Sequence, residues 1–299
     1  MLRGRPGGGF TSRTAIAVGS GPKAVVAGDF NDDDRPDLAV ANGGGGSVSV
    51  LLGDGHGGFA PQTTFEAAVS PTAIAVSDVN RDGDPDLAVA DVADVSLSVL
   101  LGGAGGSFGP PSEYVVGQYT MAVAAADFNG DGHPDLAATG VGARFVSVML
   151  GDGGGGFTDE SMVAPGPSAV GVSDFNGDGD PDLAVSNYST GGVLVLLGDA
   201  GGGFASPRPF SVGDQMAAVV AGDFNGDDRP DVATANRLDD SVSVLLNTTE
   251  SAIAVESPEA AFAAQPEGTV SAAHTVRLSS TGEWPLRVDS VKTAGPRLR

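Results

Sequence analysis

The chain contains no cysteine. A disulfide framework is therefore excluded, and so is any thiolate metal site. Basic residues are also scarce: 15 Lys and Arg stand against 38 Asp and Glu, a formal net charge of −23. A phosphate-binding surface needs clustered cations, so neither nucleic acid nor an anionic membrane surface is expected as a partner. No run of about 18 apolar residues occurs, so no membrane span or membrane insertion is expected. Met1–Pro6 lacks the apolar core of a signal peptide, and the sequence reads as having an incomplete N-terminus.

What is present points to strands. A hydrophobic fraction of 41% is too high for a disordered acidic chain. The 47 Gly and 19 Pro mark frequent turns, and the apolar residues between them are Val, Ala, Leu and Ile in short runs. Many short strands follow, and an all-β fold.

The strongest signal is a repeat. A nine-residue acidic string occurs five times: DFNDDDRPD from Asp29, DVNRDGDPD from Asp78, DFNGDGHPD from Asp127, DFNGDGDPD from Asp174 and DFNGDDRPD from Asp223. The starts lie 49, 49, 47 and 49 residues apart. A period of 40–50 residues containing only strands is the signature of propeller blades. Each unit reads as four strands. Strand a is an apolar stretch entering the acidic string, as in Thr72–Val76. Strand b is Asp-Leu-Ala-Val, as in Asp182–Val185. Strand c alternates, as in Ser47–Leu52, which suits one face in the core. A Gly-rich turn ending in Phe then opens an edge strand d. Gly7–Phe10 looks like a strand d without its own a, b and c, while the fifth unit ends after strand c. The N-terminal strand is therefore expected to complete the last blade and close a five-bladed β-propeller. The alternative is a segment of a larger propeller cut in mid-repeat.

These strings, their apolar flanks and the Gly-Gly-Phe turns resemble FG-GAP/VCBS repeats, found in integrin α-chain propellers and in many bacterial exported proteins. Phe59-Ala60-Pro61 and Phe108-Gly109-Pro110 sit where that family carries Phe-Gly and Gly-Ala-Pro. The resemblance covers about residues 7–247. It implies a propeller with calcium in the loop between the first two strands of each blade, and an extracellular or cell-surface setting. It implies no particular partner. Seven blades are usual in the family, against five repeats here.

The loop chemistry agrees with that implication. Calcium takes six to eight oxygens, often from a short loop that alternates ligands and spacers. In the fourth string Asp174, Asn176 and Asp178 offer oxygens from positions 1, 3 and 5. The carbonyl of Asp180 serves position 7 and Asp182 closes position 9. The corresponding sets are Asp29, Asn31, Asp33, Arg35 and Asp37; Asp78, Asn80, Asp82, Asp84 and Asp86; Asp127, Asn129, Asp131, His133 and Asp135; and Asp223, Asn225, Asp227, Arg229 and Asp231. Up to five Ca2+ ions are expected, each stapling a blade. Gly at position 6 permits a sharp turn. The first and fifth strings carry Asp34 and Asp228 there and should bind more weakly. The competing structural reading is a solvated acidic turn with local Asx hydrogen bonds.

Other constellations are weak. His56, His133 and His274 share no spacing with a nucleophile, and the acids that would suit a glycosidase belong to the metal loops. Phe30, Phe128, Phe175 and Phe224, with Phe10, Phe59, Phe108, Phe157 and Phe204, fall at repeat positions and read as blade packing. Tyr114, Tyr119, Tyr188 and Phe145 are the main aromatics off the repeat, and Arg144 and Arg237 are placed near b–c connections. Residues 1–248 are assigned to the propeller and 249–257 to a linker. Residues 258–299 are assigned to a truncated Ig-like segment, because Gln265-Pro266-Glu267-Gly268 and Ser280-Thr281-Gly282 resemble turns of ASPM/SPD-2/Hydin-type domains. The expected function is a non-enzymatic calcium-binding interaction or adhesion module. Its protein or glycan ligand is unknown. A lectin is the alternative, and a polysaccharide-active enzyme a more distant one.

Overall fold

The structure is a computed structural model describing residues 2–4, 10–117, 119–140, 145–163, 167–187, 191–212, 216–248, 253–255 and 278–280. No helix occurs among them, and so none that is long and apolar enough to cross a membrane. Two compact units are present: Met1–Phe175 with Gly179–Leu246, and Asn176–Asp178 with Asn247–Arg299.

The first unit is a β-propeller-like series of antiparallel sheets, one per repeat. A hairpin precedes them, β1 (Leu2–Gly4) with β2 (Phe10–Arg13). The first sheet is β3 (Pro22–Gly28), β4 (Asp37–Asn42), β5 (Ser47–Leu51) and β6 (Thr63–Glu66). The second is β7 (Pro71–Ser77), β8 (Asp86–Asp91), β9 (Ser96–Leu100) and, beyond a small ladder of β10 (Gly102–Gly103) and β11 (Ser107–Phe108), β12 (Ser112–Val115). The third is β13 (Thr120–Ala126), β14 (Asp135–Gly140), β15 (Phe145–Gly151) and β16 (Phe157–Val163). The fourth is β17 (Pro167–Ser173), β18 (Asp182–Asn187), β19 (Gly192–Leu196) and β20 (Arg208–Phe210). The fifth has three strands, β21 (Met216–Gly222), β22 (Asp231–Asn236) and β23 (Ser241–Leu245).

Register repeats because the acidic string fixes it. The last residue of each first strand faces the Asp that ends the string: Gly28↔Asp37, Ser77↔Asp86, Ala126↔Asp135, Ser173↔Asp182 and Gly222↔Asp231. Neighbouring sheets pack through their first strands, β3 with β7, β7 with β13, β13 with β17 and β17 with β21.

The alternation of Ser47–Leu51 does not separate a core face from a solvent face. All five residues are buried, the apolar side against the second sheet and the serine side under Gly19 and Gln62, which both hydrogen-bond with Ser49 Oγ. One face is apolar (Val48, Val50), and the other carries serines satisfied by side chains. Asn42 Nδ2 donates to Ser49 Oγ at 2.8 Å and to Ser47 Oγ at 3.3 Å. Asn236 repeats this in the fifth sheet with Ser243 at 2.7 Å and Ser241 at 3.1 Å. Such pairing allows a polar stripe to be buried at little cost.

Phe packing crosses between sheets, as the repeat positions predict. Phe30 meets Phe108 edge-on at 5.7 Å, and Phe128 meets Phe204 at 5.6 Å. In the second string Val79 replaces Phe, and Phe157 instead packs edge-on against Tyr114 at 5.3 Å. The first two contacts join the acidic string of one repeat to the turn Phe of the next, and the third joins the edge strand of the second sheet to the turn Phe of the third.

The expected N-terminal closure is not formed. Phe10–Arg13 pairs with Leu2–Gly4, through Leu2↔Arg13 and Gly4↔Phe10, and the fifth sheet keeps three strands among the described residues. A hairpin closes a loop of a few residues, whereas pairing with β23 closes more than two hundred, at a larger entropic cost.

In the second unit β24 (Ile253–Val255) pairs antiparallel with β25 (Leu278–Ser280). The β-branched Ile253 and Val255 thus form a strand inside the span expected to be a linker. The rest of the expected Ig-like segment lies outside the described residues, as do Arg144 and Tyr188.

Candidate functional site

Each acidic string folds as one compact loop, and its side chains have distinct duties. Two residues per loop adopt the left-handed backbone region. Position 6 is Gly83 (φ 94°), Gly132 (φ 85°) or Gly179 (φ 93°) in the middle loops, and Asp34 (φ 60°) or Asp228 (φ 63°) in the outer ones. Position 4 is also left-handed, at Asp32 (φ 59°), Arg81 (φ 59°), Gly130, Gly177 and Gly226. The sequence signal for this second turn was Gly at position 4 in three strings. Asp at these places carries a modest strain.

Position 1 draws the turn closed. Asp29 accepts the N–H groups of Asp33 (3.1 Å) and Asp34 (2.6 Å), and Asp78 those of Asp82 (3.1 Å) and Gly83 (3.0 Å). Asp127 takes Asp131 (3.2 Å) and Gly132 (2.8 Å), Asp174 takes Gly179 (2.8 Å), and Asp223 takes Asp227 (3.2 Å) and Asp228 (2.9 Å). Positions 3 and 5 meet through their side chains. Asn31, Asn80, Asn129, Asn176 and Asn225 donate from Nδ2 to Asp33, Asp82, Asp131, Asp178 and Asp227 at 2.8–3.1 Å. Position 5 also accepts the N–H of position 7 from Arg35, Asp84, His133 and Arg229.

Position 9 is the buried clasp of each repeat. Asp37, Asp135, Asp182 and Asp231 are 0% exposed and Asp86 is 1%. One carboxylate oxygen accepts the N–H of position 2, from Phe30, Val79, Phe128, Phe175 and Phe224 at 2.7–3.0 Å. The other accepts the N–H of the Gly that follows strand c: Gly53, Gly102, Gly151 and Gly198 at 2.6–2.8 Å. This clasp was not foreseen from the sequence, although the Gly stands 16 residues after its Asp in four units. That Gly has no room for a side chain. A Cβ on Gly151 would lie 2.3 Å from the Pro134 carbonyl oxygen, and one on Gly53 would lie 2.2 Å from that of Pro36. Gly151→Ala is therefore expected to cost about 1–3 kcal/mol in urea unfolding, the range for overpacked sites. An unchanged midpoint would contradict the clasp geometry.

The outer loops supply their own cations. Arg229 Nη2 lies 2.7 Å from Asp227 Oδ2 with Nε at 3.2 Å, and Arg35 lies 3.6 Å from Asp33. Arg229 holds Asp227 below the ordinary carboxylate range. The N–H of His133 and the Asn129 amide lower Asp131, and the N–H of Asp228 lowers Asp223. At Asp29 burial opposes ionisation, but the N–H groups of Asp33 and Asp34 outweigh it and the pKa falls. At the clasp the balance reverses. Burial pushes Asp86 and Asp135 up, against the pull of their two N–H donors.

The sign of the pH effect follows. A lowered carboxyl gives stability that is present above its unfolded pKa, about 4, and lost as pH falls through its folded value. A raised carboxyl does the reverse: its contribution is present below about pH 4 and lost as pH rises through the folded value. In chelator, Asp135→Asn is therefore expected to gain stability relative to the parent chain as pH rises above about 4, because it removes a carboxyl whose ionisation burial opposes. A difference between the two melting temperatures that does not change with pH would overturn this.

Among the described residues no three His, Asp or Glu side chains converge closely enough to hold a metal ion. The loop oxygens are turned toward backbone N–H groups and the Asn amides. One oxygen is not: Asn31 Oδ1 is buried without a hydrogen-bond partner, whereas in the other loops the same atom accepts the N–H of position 5. The donor set is all oxygen, and a carboxylate oxygen that accepts one N–H keeps a second lone pair. Both features fit a hard divalent cation.

Away from the loops, Tyr119 is 56% exposed with φ 55°, and it lines a small cavity with Val92, Ala93, Asp94 and Val95.

Three stretches, residues 29–89, 78–138 and 174–234, match the FG-GAP-like repeat. No curated protein matches the chain. Among solved structures, the chain is similar to an Agrocybe aegerita lectin that recognises non-reducing terminal N-acetylglucosamine, with TM-score 0.53 and 20% identity over 75% of this chain and 63% of that one. BBS1N, solved in complex with ARL6DN, gives TM-score 0.53 and 13% identity over 74% of this chain and 63% of that one. A functionally unknown protein from Desulfotomaculum acetoxidans gives TM-score 0.53 and 12% identity over 77% and 71%. The chain thus spans less than two thirds of the length of the first two.

Proposed function

Because the chain belongs to the FG-GAP-like repeat family, we propose that it is a non-enzymatic binding module whose acidic loops take up Ca2+, one ion stapling each occupied repeat. The observation that carries this reading is the fivefold recurrence of one loop with all-oxygen donors at alternate positions, held by two left-handed residues. Unpaired Asn31 Oδ1 supports it from the geometry.

In each loop, positions 1, 3 and 5 would hold the ion from their side chains and position 7 from its carbonyl. Position 9 would add a ligand while keeping its two N–H donors. The bound ion supplies positive charge among three carboxylates that otherwise repel. The second, third and fourth loops are the favoured sites, since Gly83, Gly132 and Gly179 turn without strain. The fifth is already neutralised in part by Arg229, and the first has the longer Arg35 contact. Affinity of order 10⁻⁴–10⁻³ M suits extracellular calcium, so we place the chain on an exported or cell-surface protein. Isothermal titration with CaCl2 after chelation is expected to show about three sites in this range. No heat and no change in the melt at about 10 mM Ca2+, ten times the weaker limit, would remove the proposal.

Glycan binding is a second reading. It is favoured by the exposed ring of Tyr119 beside Asp94, and by the fold shared with the N-acetylglucosamine-binding lectin. A glycan array run with and without Tyr119→Ala decides it: retention of a sugar that the variant loses supports this reading, and a blank array excludes it.

A further inference from the structure

The sequence holds four Asn-Gly pairs, and the fold treats them in two ways. Three stand at positions 3 and 4 of the acidic string: Asn129-Gly130, Asn176-Gly177 and Asn225-Gly226. The fourth, Asn42-Gly43, lies at the end of β4. In the loops the amide is engaged at both ends. Oδ1 of Asn129, Asn176 and Asn225 accepts the N–H two residues on, at 2.9–3.0 Å, and Nδ2 donates to the carboxylate of that same residue at 2.9–3.1 Å. Such a turn curls the side chain over the intervening peptide, so Cγ faces the Gly nitrogen. Gly has no side chain to keep that nitrogen away. Asn42 differs on every count. It is 0% exposed, its Nδ2 is held by Ser49 and Ser47, and its Oδ1 accepts no hydrogen bond. The N–H of Gly43 is taken by the Gly21 carbonyl at 2.9 Å.

We propose that Asn129, Asn176 and Asn225 are sites of spontaneous deamidation promoted by their loops, and that the fold shields Asn42 from it. The Gly nitrogen bonds to Asn Cγ and gives up its proton to water. Oδ1 carries the developing negative charge, and the N–H that it already accepts stabilises that charge. The Cγ–Nδ2 bond then breaks, and Nδ2 leaves as ammonia after taking a proton from water. Water opens the cyclic imide that remains, at Cγ to give Asp or at the Asn backbone carbonyl to give isoaspartate. The sum is amide plus water to acid plus ammonia, with nothing oxidised or reduced. Either product adds a carboxylate to the loop, and isoaspartate also lengthens the backbone between positions 3 and 4. None of these steps needs a bound ion. Asn80 separates the two requirements. Its amide makes the same two bonds with Asp82, at 3.1 and 2.8 Å, but Arg81 follows it and the Arg side chain obstructs the approach.

Peptide mapping by mass spectrometry tests this on the full chain, held near neutral pH in chelator, with and without urea. Without urea, the peptides holding Asn129, Asn176 and Asn225 are expected to convert to paired Asp and isoaspartate products. Those holding Asn42 and Asn80 should convert at least about tenfold more slowly, a difference of about 1.4 kcal/mol in barrier. Urea removes the fold, so Asn42 should then react as fast as the three loop residues, while Asn80 stays slow. Loop amides that stay intact in the folded chain while the urea-treated chain converts would overturn the proposal. So would an Asn42 or an Asn80 that keeps pace with the loop residues in the folded chain. An Asn42 that lags equally in urea would also overturn it, because the fold would then not be what shields it.

Discussion

Calcium at about 10 mM is expected to raise the melting temperature of the chelated chain by 10 °C or more. Three occupied loops with dissociation constants near 10⁻⁴ M would each contribute about 2.7 kcal/mol at a hundredfold excess of free ion. Together that is about 8 kcal/mol, and a domain of this size gains roughly 2–4 °C per kcal/mol. The shift should depend on which loop is altered. Asp131→Asn removes a carboxylate from a favoured loop and should reduce the gain by about a third. Asp227→Asn, in the loop whose carboxylate already pairs with Arg229, should change it little. Differential scanning calorimetry over a calcium series measures both. A gain that Asp227→Asn abolishes and Asp131→Asn leaves intact would reverse the ranking of the loops. Magnesium at the same concentration should do less, because it gives up its waters reluctantly.

Asp135→Ala is the single substitution expected to damage the fold most. Its carboxylate is fully buried and accepts the N–H groups of Phe128 and Gly151 at 2.7 Å each. Truncation leaves two buried donors unpaired and a small void, a loss of about 3–5 kcal/mol. Asp135→Asn keeps one acceptor and turns an NH2 toward the second donor, so it should fall between Ala and the parent. Asp84→Ala is the matched control. The side chain at position 7 is not part of the clasp, and its backbone carbonyl and N–H survive the change. Chemical denaturation in chelator separates these effects from any lost metal. Equal midpoints for Asp135→Ala and Asp84→Ala would mean that the clasp contributes nothing.

Much of this architecture was legible because it recurs. Five acidic strings at one spacing located five sheets, and the left-handed position 6 was readable from Gly83, Gly132 and Gly179, with Asp34 and Asp228 following their example. Two features escaped for identifiable reasons. Position 9 read as a ligand because Asp after alternating acids suggests a cage; its second role depends on a Gly 16 residues later, a pairing only the folded chain brings together. The alternation of Ser47–Leu51 implied water on the serine side, since periodicity reports two unlike faces and not whether both are covered. The N-terminal pairing failed by similar logic. A matching strand pattern at Phe10 says which ladder it could join, while the nearby Leu2–Gly4 offered a partner at far smaller chain-closure cost.

The Gly-rich tip of each second hairpin rests on the loop of the repeat before it. A Cβ on Gly155 would lie 3.7 Å from Asn80 Cβ, and one on Gly202 would lie 3.0 Å from Asn129 Cβ. What steadies one loop therefore steadies the unit that follows it. Such chains behave as a line of neighbours that melt from the less supported end. Amide exchange should accordingly be fastest in Met216–Leu245, on whose loop no further sheet rests among the described residues, and should slow stepwise toward the middle of the line.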